Sequence, residues 1–373
     1  MGGASMLPDS AVDVCKDTFT YWIDLPYHLK IEVLRNLPFP TLRNFMFLSK
    51  ECMALSSKLK PEVNGVFLLH EPNRIRQNAN MGNCSATIIV YYLPRGTTDP
   101  DLRKNYTIRF TNINEGCTVS REDDLRVANT GPTYANESCY AVSMRVLFNM
   151  TKYMKSEQIS MEIGSVRTEV RHVLDELPKT ASLSCERLTV HAHSLAVLTS
   201  LIPHVNPGCR LWTYDSDIFN IPANVFIDSD IFDLETMKSA PLFYTNASCE
   251  ISDHQLLSLK AHCLYLKAPY VSARGINDII LQWLAGKRKI ATVYFAATSA
   301  LNRDVVFKDV DKTGFVPEAE LVKSPFIKQW MQSHFVPGFH AGMRNKSGDL
   351  LLINVGTNFC ELVDPYSEYM PRP

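Results

Sequence analysis

Apolar residues between positions 25 and 60 recur at near-helical spacing and are interrupted by prolines. The first group follows Leu25-Pro26 and consists of Leu29, Ile31, Val33, Leu34 and Leu37. Pro38 and Pro40 break the pattern, after which a second short helix carries Leu42 and Phe45, and Ser49-Lys50 begins a third. Because three such short helices bury too little apolar surface to stand alone, the pattern favours a docking surface for another protein.

After residue 61 the pattern changes to short runs rich in β-branched and aromatic residues, which are typical of strands. The first predicted strands lie at 66–70, 86–93 and 106–110. From about residue 158, predicted strands alternate with predicted helices. The strands are at 158–163, 187–191, 209–214, 241–245, 262–266 and 291–296, and the helices are at 165–179, 194–205, 228–240 and 272–286. Residues 337–365 predict two or three antiparallel strands.

This alternation favours right-handed βα units and a parallel sheet. The spacings from Leu188 to Leu211 and from Leu264 to Val293 both lie within the ~20–29 residues of a leucine-rich repeat. The asparagine or cysteine at fixed offset that marks a clean repeat is missing. The predicted fold class is therefore α/β, or α+β over the whole chain. It has a small three-helix module and then a curved, LRR-like α/β domain with mostly parallel strands and a C-terminal antiparallel hairpin.

The helical stretch at 25–50 resembles an F-box. The family pattern is Leu-Pro, then a hydrophobic pair, a leucine before the break, a leucine after it, and a Ser-Lys pair. The resemblance implies docking to the Skp-type adaptor of a Skp–cullin–F-box ubiquitin ligase, and through the adaptor to a cullin. The adaptor-binding residues that it implies are Leu25, Pro26, Leu29, Ile31, Leu34, Leu37, Leu42, Phe45, Ser49 and Lys50.

The stretches 256–289 and 343–355 resemble the F-box-associated domain of the large nematode F-box families. Asn277 and the run Trp283-Leu284-Ala285-Gly286 carry much of this likeness. The predicted division of the chain is a mobile leader at 1–20, the F-box at 21–60, a strand-rich segment of the associated domain at 61–157, and the LRR-like F-box-associated α/β domain at 158–373.

Composition limits the class of protein further. The chain has 373 residues and a net charge of −1, which argues against a strongly basic nucleic-acid binder. No run approaches the ~18 apolar residues of a membrane span, and the N-terminus lacks a secretory signal. The ten cysteines form no C-x-x-C pair, so free thiols in a reducing compartment are expected rather than a zinc site. We expect a cytoplasmic or nuclear protein without metal, cofactor, nucleic-acid or membrane partner.

Two residue pairs suggest enzymatic chemistry, and each has a structural alternative. His191 and His193 would point to one face of a strand, which suits a metal ion, but no acidic or cysteine partner stands at a helpful offset. His262 and Cys263 are neighbours on a predicted strand and point to opposite faces, which disfavours a nucleophile–base pair. The basic run at 286–289 fits a helix end better than a phosphate or nucleic-acid site. No catalytic residue is predicted.

The predicted parallel sheet carries a second set of candidate binding residues. If Leu188, Leu211 and Leu264 face the core, the residues that alternate with them face the other way. Aromatic side chains and arginine are the usual hot-spot residues of protein interfaces, so this face is a candidate target-binding surface. Its predicted residues are Arg187, Arg210, Trp212, Tyr214, Tyr265 and Tyr294. The alternative is that the segment 94–157 covers this face, or that the face packs internally.

The resemblance implies a non-catalytic substrate receptor, which holds an unidentified protein target near the conjugating enzyme. Two alternatives stay open at this point. The chain could be a protein-interaction scaffold outside any ligase, with an LRR-like recognition domain. It could also be an α/β enzyme whose site has no recognisable motif.

Overall fold

A computed structural model describes residues 22–37, 39–46, 48–70, 84–94, 96–122, 129–163, 167–192, 195–215, 226–333 and 339–367. The predicted leader at 1–20 and His193 lie outside these residues. The three-helix module, defined here as residues 22–56 without 38 and 47, is followed by a large mixed sheet.

The module contains α1 (Tyr27–Arg35), α2 (Phe39–Met46) and α3 (Lys50–Ser56). Pro26 precedes α1 with φ −51°, the range its ring imposes, and its missing N–H costs no helical hydrogen bond there. Ser49 caps α3, since its hydroxyl accepts a hydrogen bond from the backbone N–H of Cys52 at 3.1 Å. The helices enclose a small core made of Leu34, Leu42 and Leu55.

The strands of the described residues are given in chain order. They are β1 (Glu62–His70), β2 (Cys84–Tyr92), β3 (Lys104–Ile113), β4 (Gly116–Glu122), β5 (Asn129–Ala135), β6 (Lys155–Ile163), β7 (Cys185–Ala192), β8 (Arg210–Asp215), β9 (Phe226–Ile227), β10 (Leu242–Cys249), β11 (Cys263–Lys267), β12 (Thr292–Ala296), β13 (Phe315–Val316), β14 (Phe339–Arg344), β15 (Leu350–Val355) and β16 (Phe359–Val363).

The helices after the three-helix module lie mostly in the connections between parallel strands, and those after residue 300 lie between β12 and β14. They are α4 (Cys139–Thr151), α5 (Arg167–Glu176), α6 (Leu195–Leu201), α7 (Glu235–Ser239), α8 (Asp253–Ser258), α9 (Ala273–Leu284), α10 (Arg303–Val306), α11 (Glu318–Leu321) and α12 (Pro325–Ser333). Short 3₁₀ turns lie at Pro100–Leu102, Ile202–His204, Ser229–Asp233 and Lys312–Gly314.

The middle of the sheet is parallel and follows chain order. Its strands lie side by side as β1, β6, β7, β8, β10, β11 and β12. Strands β2 to β5 extend the edge beyond β1 in antiparallel fashion, and β16 to β13 extend the edge beyond β12. Each crossover therefore returns the chain to the neighbouring position, which stacks the connecting helices on one face of the sheet.

The two faces of the parallel strands differ in burial. In β7, β8, β10 and β12 alternate residues are buried in the main core, as shown by Phe243 and Phe295, while the residues between them are half-buried. A second small core lies at the β15–β16 end, where α11 and α12 bring Ile327 and Trp330 against Leu352. The half-buried face of the central strands is thus bordered at one end by α11 and α12.

Phe39 attaches the three-helix module to the sheet. It belongs to the main core, and its ring centroid lies 5.8 Å from that of Tyr92 on β2 and 6.1 Å from that of Tyr106 on β3. Edge and tilted aromatic contacts at these distances contribute beyond their buried area. The module is therefore packed against the sheet through a buried aromatic cluster.

The structure differs from the sequence prediction in three places. Where the sequence predicted a single strand at 106–110, the structure has β3, β4 and β5, and α4 follows them. The boundary predicted between residues 157 and 158 falls within β6, which pairs with β1 on one side and β7 on the other. The single helix predicted over 228–240 is wrong, because Leu234 has extended backbone with ψ 142° and separates a 3₁₀ turn from α7.

His70 gives the core a specific pH dependence. Its side chain is buried, its Nε2 lies 3.2 Å from the Ser143 hydroxyl, and burial lowers its pKa to about 3. The unfolded chain therefore binds one more proton than the folded chain as the pH falls below 6.5. The contribution of neutral His70 to stability is complete above that pH and is lost progressively toward pH 3.

Between pH 7.5 and pH 5.0 we expect His70 to account for about 2 kcal/mol of lost unfolding free energy, since an unfolded histidine titrates near 6.5. Urea unfolding at both pH values, for the wild type and for His70→Gln, measures this. The variant should be less stable at pH 7.5 but should lose less stability on acidification. An identical pH dependence of the two proteins would show that another group is responsible.

Candidate protein-interaction surfaces

The three-helix module divides its predicted adaptor-binding residues between core and surface. Leu34 and Leu42 are buried in its core, with 1 % and 3 % of their surface exposed. The half-buried side chains are those of Leu25, Ile31, Leu37 and Phe45, and the exposed ones are those of Pro26, Leu29, Ser49 and Lys50. The buried leucines hold the helices together, so the surface available to a partner comes from the exposed and half-buried members.

Further apolar side chains on this module are exposed and were not in the predicted set. They are Ile23, Tyr27, Val33, Leu48 and Met53. Val33 is 46 % exposed and lies one helical turn from Leu29, which is 43 % exposed, so the two form an apolar ridge along α1. Helical periodicity could have identified this ridge, because Leu29 and Val33 are four residues apart and lie ~100° around α1 from the buried Lys30 and Leu34.

An ion pair ties α1 to α3. The ammonium group of Lys30 lies 2.8 Å from a carboxylate oxygen of Glu51 and donates a hydrogen bond to the Ile23 carbonyl at 3.1 Å. The Lys30 side chain is 9 % exposed, whereas that of Glu51 is 56 % exposed. The pair fixes the segment before α1 against α3 and so helps to hold the exposed apolar side chains in one arrangement.

A row of neighbouring rings, stacked except for the tilted Tyr214–Tyr244 pair, crosses the half-buried face of the sheet. We call it the aromatic ladder, and its members are His191, Tyr214, Tyr244, Tyr265, Tyr294 and Phe359. The centroid distances between successive rings are 4.7, 5.2, 4.7, 4.6 and 6.3 Å. These distances reflect the ~4.8 Å separation of neighbouring strands, so the ladder follows directly from placing one ring on each strand.

The sequence prediction found part of this face. Tyr214, Tyr265 and Tyr294 are in the ladder, but Tyr244 and Phe359 were not among the predicted site residues. Tyr244 could have been found, because it alternates with buried Phe243 on a predicted strand. Phe359 could not, since its place beside β12 depends on the antiparallel return of β16.

Arg187, Arg210 and Trp212 lie beside the ladder on β7 and β8. Arg187 and Arg210 are paired residues of these neighbouring strands. The Arg187 guanidinium lies 5.4 Å from the Trp212 ring centroid. The segment suggested as a cover does not lie over this face in the described residues. Strands β3 to β5 extend the sheet edge, and α4 packs in the main core.

The hydroxyls of Tyr214, Tyr265 and Tyr294 in the ladder are neutral donors near pH 7. Burial raises the pKa of Tyr214, Tyr265 and Tyr294, and the carboxylate of Glu361 raises the last two further. Burial also lowers the pKa of His191, against a smaller opposing effect of Glu162. The ladder thus presents ring edges and hydroxyl groups with acidic residues near its two ends.

Of the candidate enzymatic residues, the structure describes His191, His262 and Cys263, whereas His193 lies outside the described residues. Burial raises the pKa of Cys263 to about 11, which leaves its thiol protonated. No group of three or more His, Cys, Asp or Glu side chains suited to a metal ion occurs within the described ranges. The Sγ atoms of Cys185 and Cys209 lie 3.6 Å apart as free thiols, and this contact together with burial raises the pKa of Cys185.

The basic run at 286–289 forms the end of a helix. Gly286 has φ +71°, a left-handed conformation that favours glycine, and its N–H bonds the Trp283 carbonyl at 2.9 Å. The next N–H, of Lys287, bonds the Gln282 carbonyl. Arg288 turns inward, and burial lowers its pKa to about 10.

Among the helices described, none is long and apolar enough to cross a membrane.

Comparison with known proteins identifies the N-terminal part of the chain. Neither the curated proteins nor the solved structures searched include a match to this chain. A family model described as the F-box domain matches residues 22–64, which include α1 to α3 and the first residues of β1. Residues 22–64 are therefore an F-box domain.

Proposed function

We propose that the chain is the substrate-recognition subunit of a Skp–cullin–F-box ubiquitin ligase. The F-box domain is the observation that carries this proposal, because such domains bind Skp-type adaptors. The adaptor would in turn bring a cullin, and the chain would work where these subunits are, in the cytoplasm or nucleus. Nothing in this role requires a nucleic acid, a membrane or a cofactor.

The exposed apolar surface of the F-box domain would supply the adaptor contact. Leu29 and Val33 form its central ridge, and Pro26, Ser49 and Lys50 lie on the exposed surface around it. Leu34 and Leu42 would act from inside, by holding α1 and α2 in position. A stable interface of this kind buries ~1,200–2,000 Å² in total.

The rest of the chain would hold the protein target. Its resemblance to the F-box-associated domain of nematode families, and the consecutive parallel strands that favour an LRR-like domain, both support a recognition role. The half-buried sheet face with its aromatic ladder is the surface best suited to it.

On this proposal the chain carries out no chemistry itself. Its physical contribution is proximity, since it raises the effective concentration of the target near the charged conjugating enzyme. A non-ligase scaffold would use the same two surfaces without recruiting a cullin.

The adaptor role is tested by placing charge on the α1 ridge. The Leu29→Glu, Val33→Glu double variant should lose at least tenfold in affinity for a Skp-type adaptor, because carboxylates would be desolvated at the interface. Co-purification from cells that express the full chain, the adaptor and a cullin measures both steps.

The Leu102→Glu, Ile113→Glu double variant is the matched control. Its side chains are 54 % and 44 % exposed, similar to those of the α1 ridge, but they lie outside the three-helix module, in the 3₁₀ turn before β3 and at the last residue of β3. It should bind the adaptor as the wild type does. Equal adaptor recovery by both double variants would rule out the α1 ridge as the docking surface. If the wild-type chain co-purifies with the adaptor but not with a cullin, the result would favour a non-ligase scaffold.

A further inference from the structure

The face that carries the aromatic ladder combines features that all attract negative charge. Stacked rings cover one another's faces and leave their edges exposed, and ring edges carry the positive end of the aromatic quadrupole. The hydroxyls of Tyr214, Tyr265 and Tyr294 stay protonated near neutral pH and can donate hydrogen bonds. Both groups prefer acceptor atoms, such as carboxylate and backbone carbonyl oxygens.

Two arginines add full positive charge to the same face. Arg187 and Arg210 stand opposite each other on β7 and β8. Arg187 is held above Trp212, and its Nε is buried with no hydrogen-bond acceptor among the described residues. An anion placed against Arg187 would accept hydrogen bonds from its guanidinium group.

Acidic side chains limit where such an anion can lie. Glu162 faces His191 at one end of the ladder, and Glu361 faces Tyr294 at the other. Negative charge on a ligand is therefore favoured near the arginine pair and disfavoured at the two ends. The middle of the ladder accepts apolar and aromatic groups, because tyrosine edges pack against ring faces in T-shaped contacts.

We propose that this face binds an acidic polypeptide segment that also contains aromatic side chains, with a carboxylate placed against Arg187 and Arg210. The segment lies across the strands and follows the aromatic ladder. This inference rests on the proposed function in one respect, since it names the class of target that the receptor would hold. Binding of such a segment to the isolated full chain does not depend on the adaptor.

The direct test uses defined probes on the full-length protein. A fluorescent random copolymer of glutamate and tyrosine should bind saturably, whereas a copolymer of lysine and tyrosine should bind at least tenfold more weakly. The Arg187→Gln, Arg210→Gln double variant should lose at least tenfold in affinity for the acidic copolymer. Binding of the lysine copolymer equal to or tighter than that of the glutamate copolymer would overturn the proposal.

Two further variants separate the arginines and the ladder from general charge effects. The Arg171→Gln, Arg274→Gln double variant removes the same charge from exposed positions on α5 and α9 and should bind as the wild type does. Tyr265→Phe, Tyr294→Phe keeps the stacked rings, removes two donors and should weaken binding several-fold. If both arginine double variants lose affinity equally, the binding is nonspecific and the proposal fails.

A competition experiment decides between kinds of anion. Phosphotyrosine, a single-stranded DNA oligomer and polyglutamate are each added, at equal total charge, to the protein with the acidic copolymer already bound. The amount of copolymer that each one displaces is measured. Carboxylate recognition predicts that neither displaces the copolymer better than polyglutamate does, and stronger displacement by either overturns the choice of an acidic segment. Adaptor recovery by the same variants stays at the wild-type level, so failure here is distinguishable from failure of the ligase role.

Discussion

Replacing Leu34 by alanine is expected to unfold the F-box domain locally and to abolish adaptor binding, while the sheet stays folded. Leu34 is 1 % exposed and shares the small F-box core with Leu42 and Leu55. A buried Leu→Ala change costs ~2–5 kcal/mol. A core this small has little stability to lose, so α1 to α3 should open without the rest of the chain.

Hydrogen exchange followed by mass spectrometry separates the two regions. In Leu34→Ala, amides of α1 and α3 should exchange at least tenfold faster, and amides of β7 and β11 should keep their protection. Val33→Ala is the control on the same helix, because Val33 is 46 % exposed and its loss leaves the core intact. Unchanged protection of α1 in Leu34→Ala would contradict this account of the core.

Replacing Asn277 by aspartate is expected to destabilise the large domain by about 3–5 kcal/mol, because a buried donor becomes a buried charged acceptor. The Asn277 amide is 6 % exposed and donates hydrogen bonds at 2.8 Å to the carbonyl oxygens of Val306 and Lys308. These bonds fix the α10 segment against α9. Aspartate has the same shape but would direct negative oxygens at both carbonyls.

Urea unfolding measures the effect, and the loss should be smaller at pH 5 than at pH 8, since a protonated carboxyl can donate to one carbonyl. Asn302→Asp provides the matched control. The side chain of Asn302 accepts a hydrogen bond from the Asp304 N–H at 2.9 Å, as an N-cap acceptor, and aspartate can do the same. Equal destabilisation by the two changes would show that donor loss is not the cause.

Asn277 also shows how far sequence reasoning extends. It carried part of the resemblance in the large domain, and the sequence offered no physical reason for it. The structure supplies one, because the carbonyls that it bonds belong to a segment about 30 residues later in the chain. A hydrogen bond between distant segments leaves no periodic signal.

Local pattern was sufficient where neighbouring residues decide the structure. The prolines, the Ser49 cap and the helical spacing of the leucines predicted the three short helices, and alternation predicted which residues of β7, β8 and β11 face the core. It was insufficient at 228–240, where the extended backbone of Leu234 interrupts the predicted helix. At this point the side-chain amide of Gln255, from α8, donates a hydrogen bond to the carboxylate of Asp233 at 2.8 Å. The conformation before Leu234 is thus held by a residue from a later segment of the chain.

The sequence alone determined that an F-box precedes an α/β domain, and that tyrosines and arginines alternate with core residues on several strands. Tertiary structure alone decided which of these side chains meet. The aromatic ladder exists because consecutive parallel strands lie about 4.8 Å apart and because β16 returns beside β12. Likewise, Leu34 and Leu42 lie inside the F-box domain and Val33 outside, because the packing of α1 against α2 and α3 selects one side of each helix.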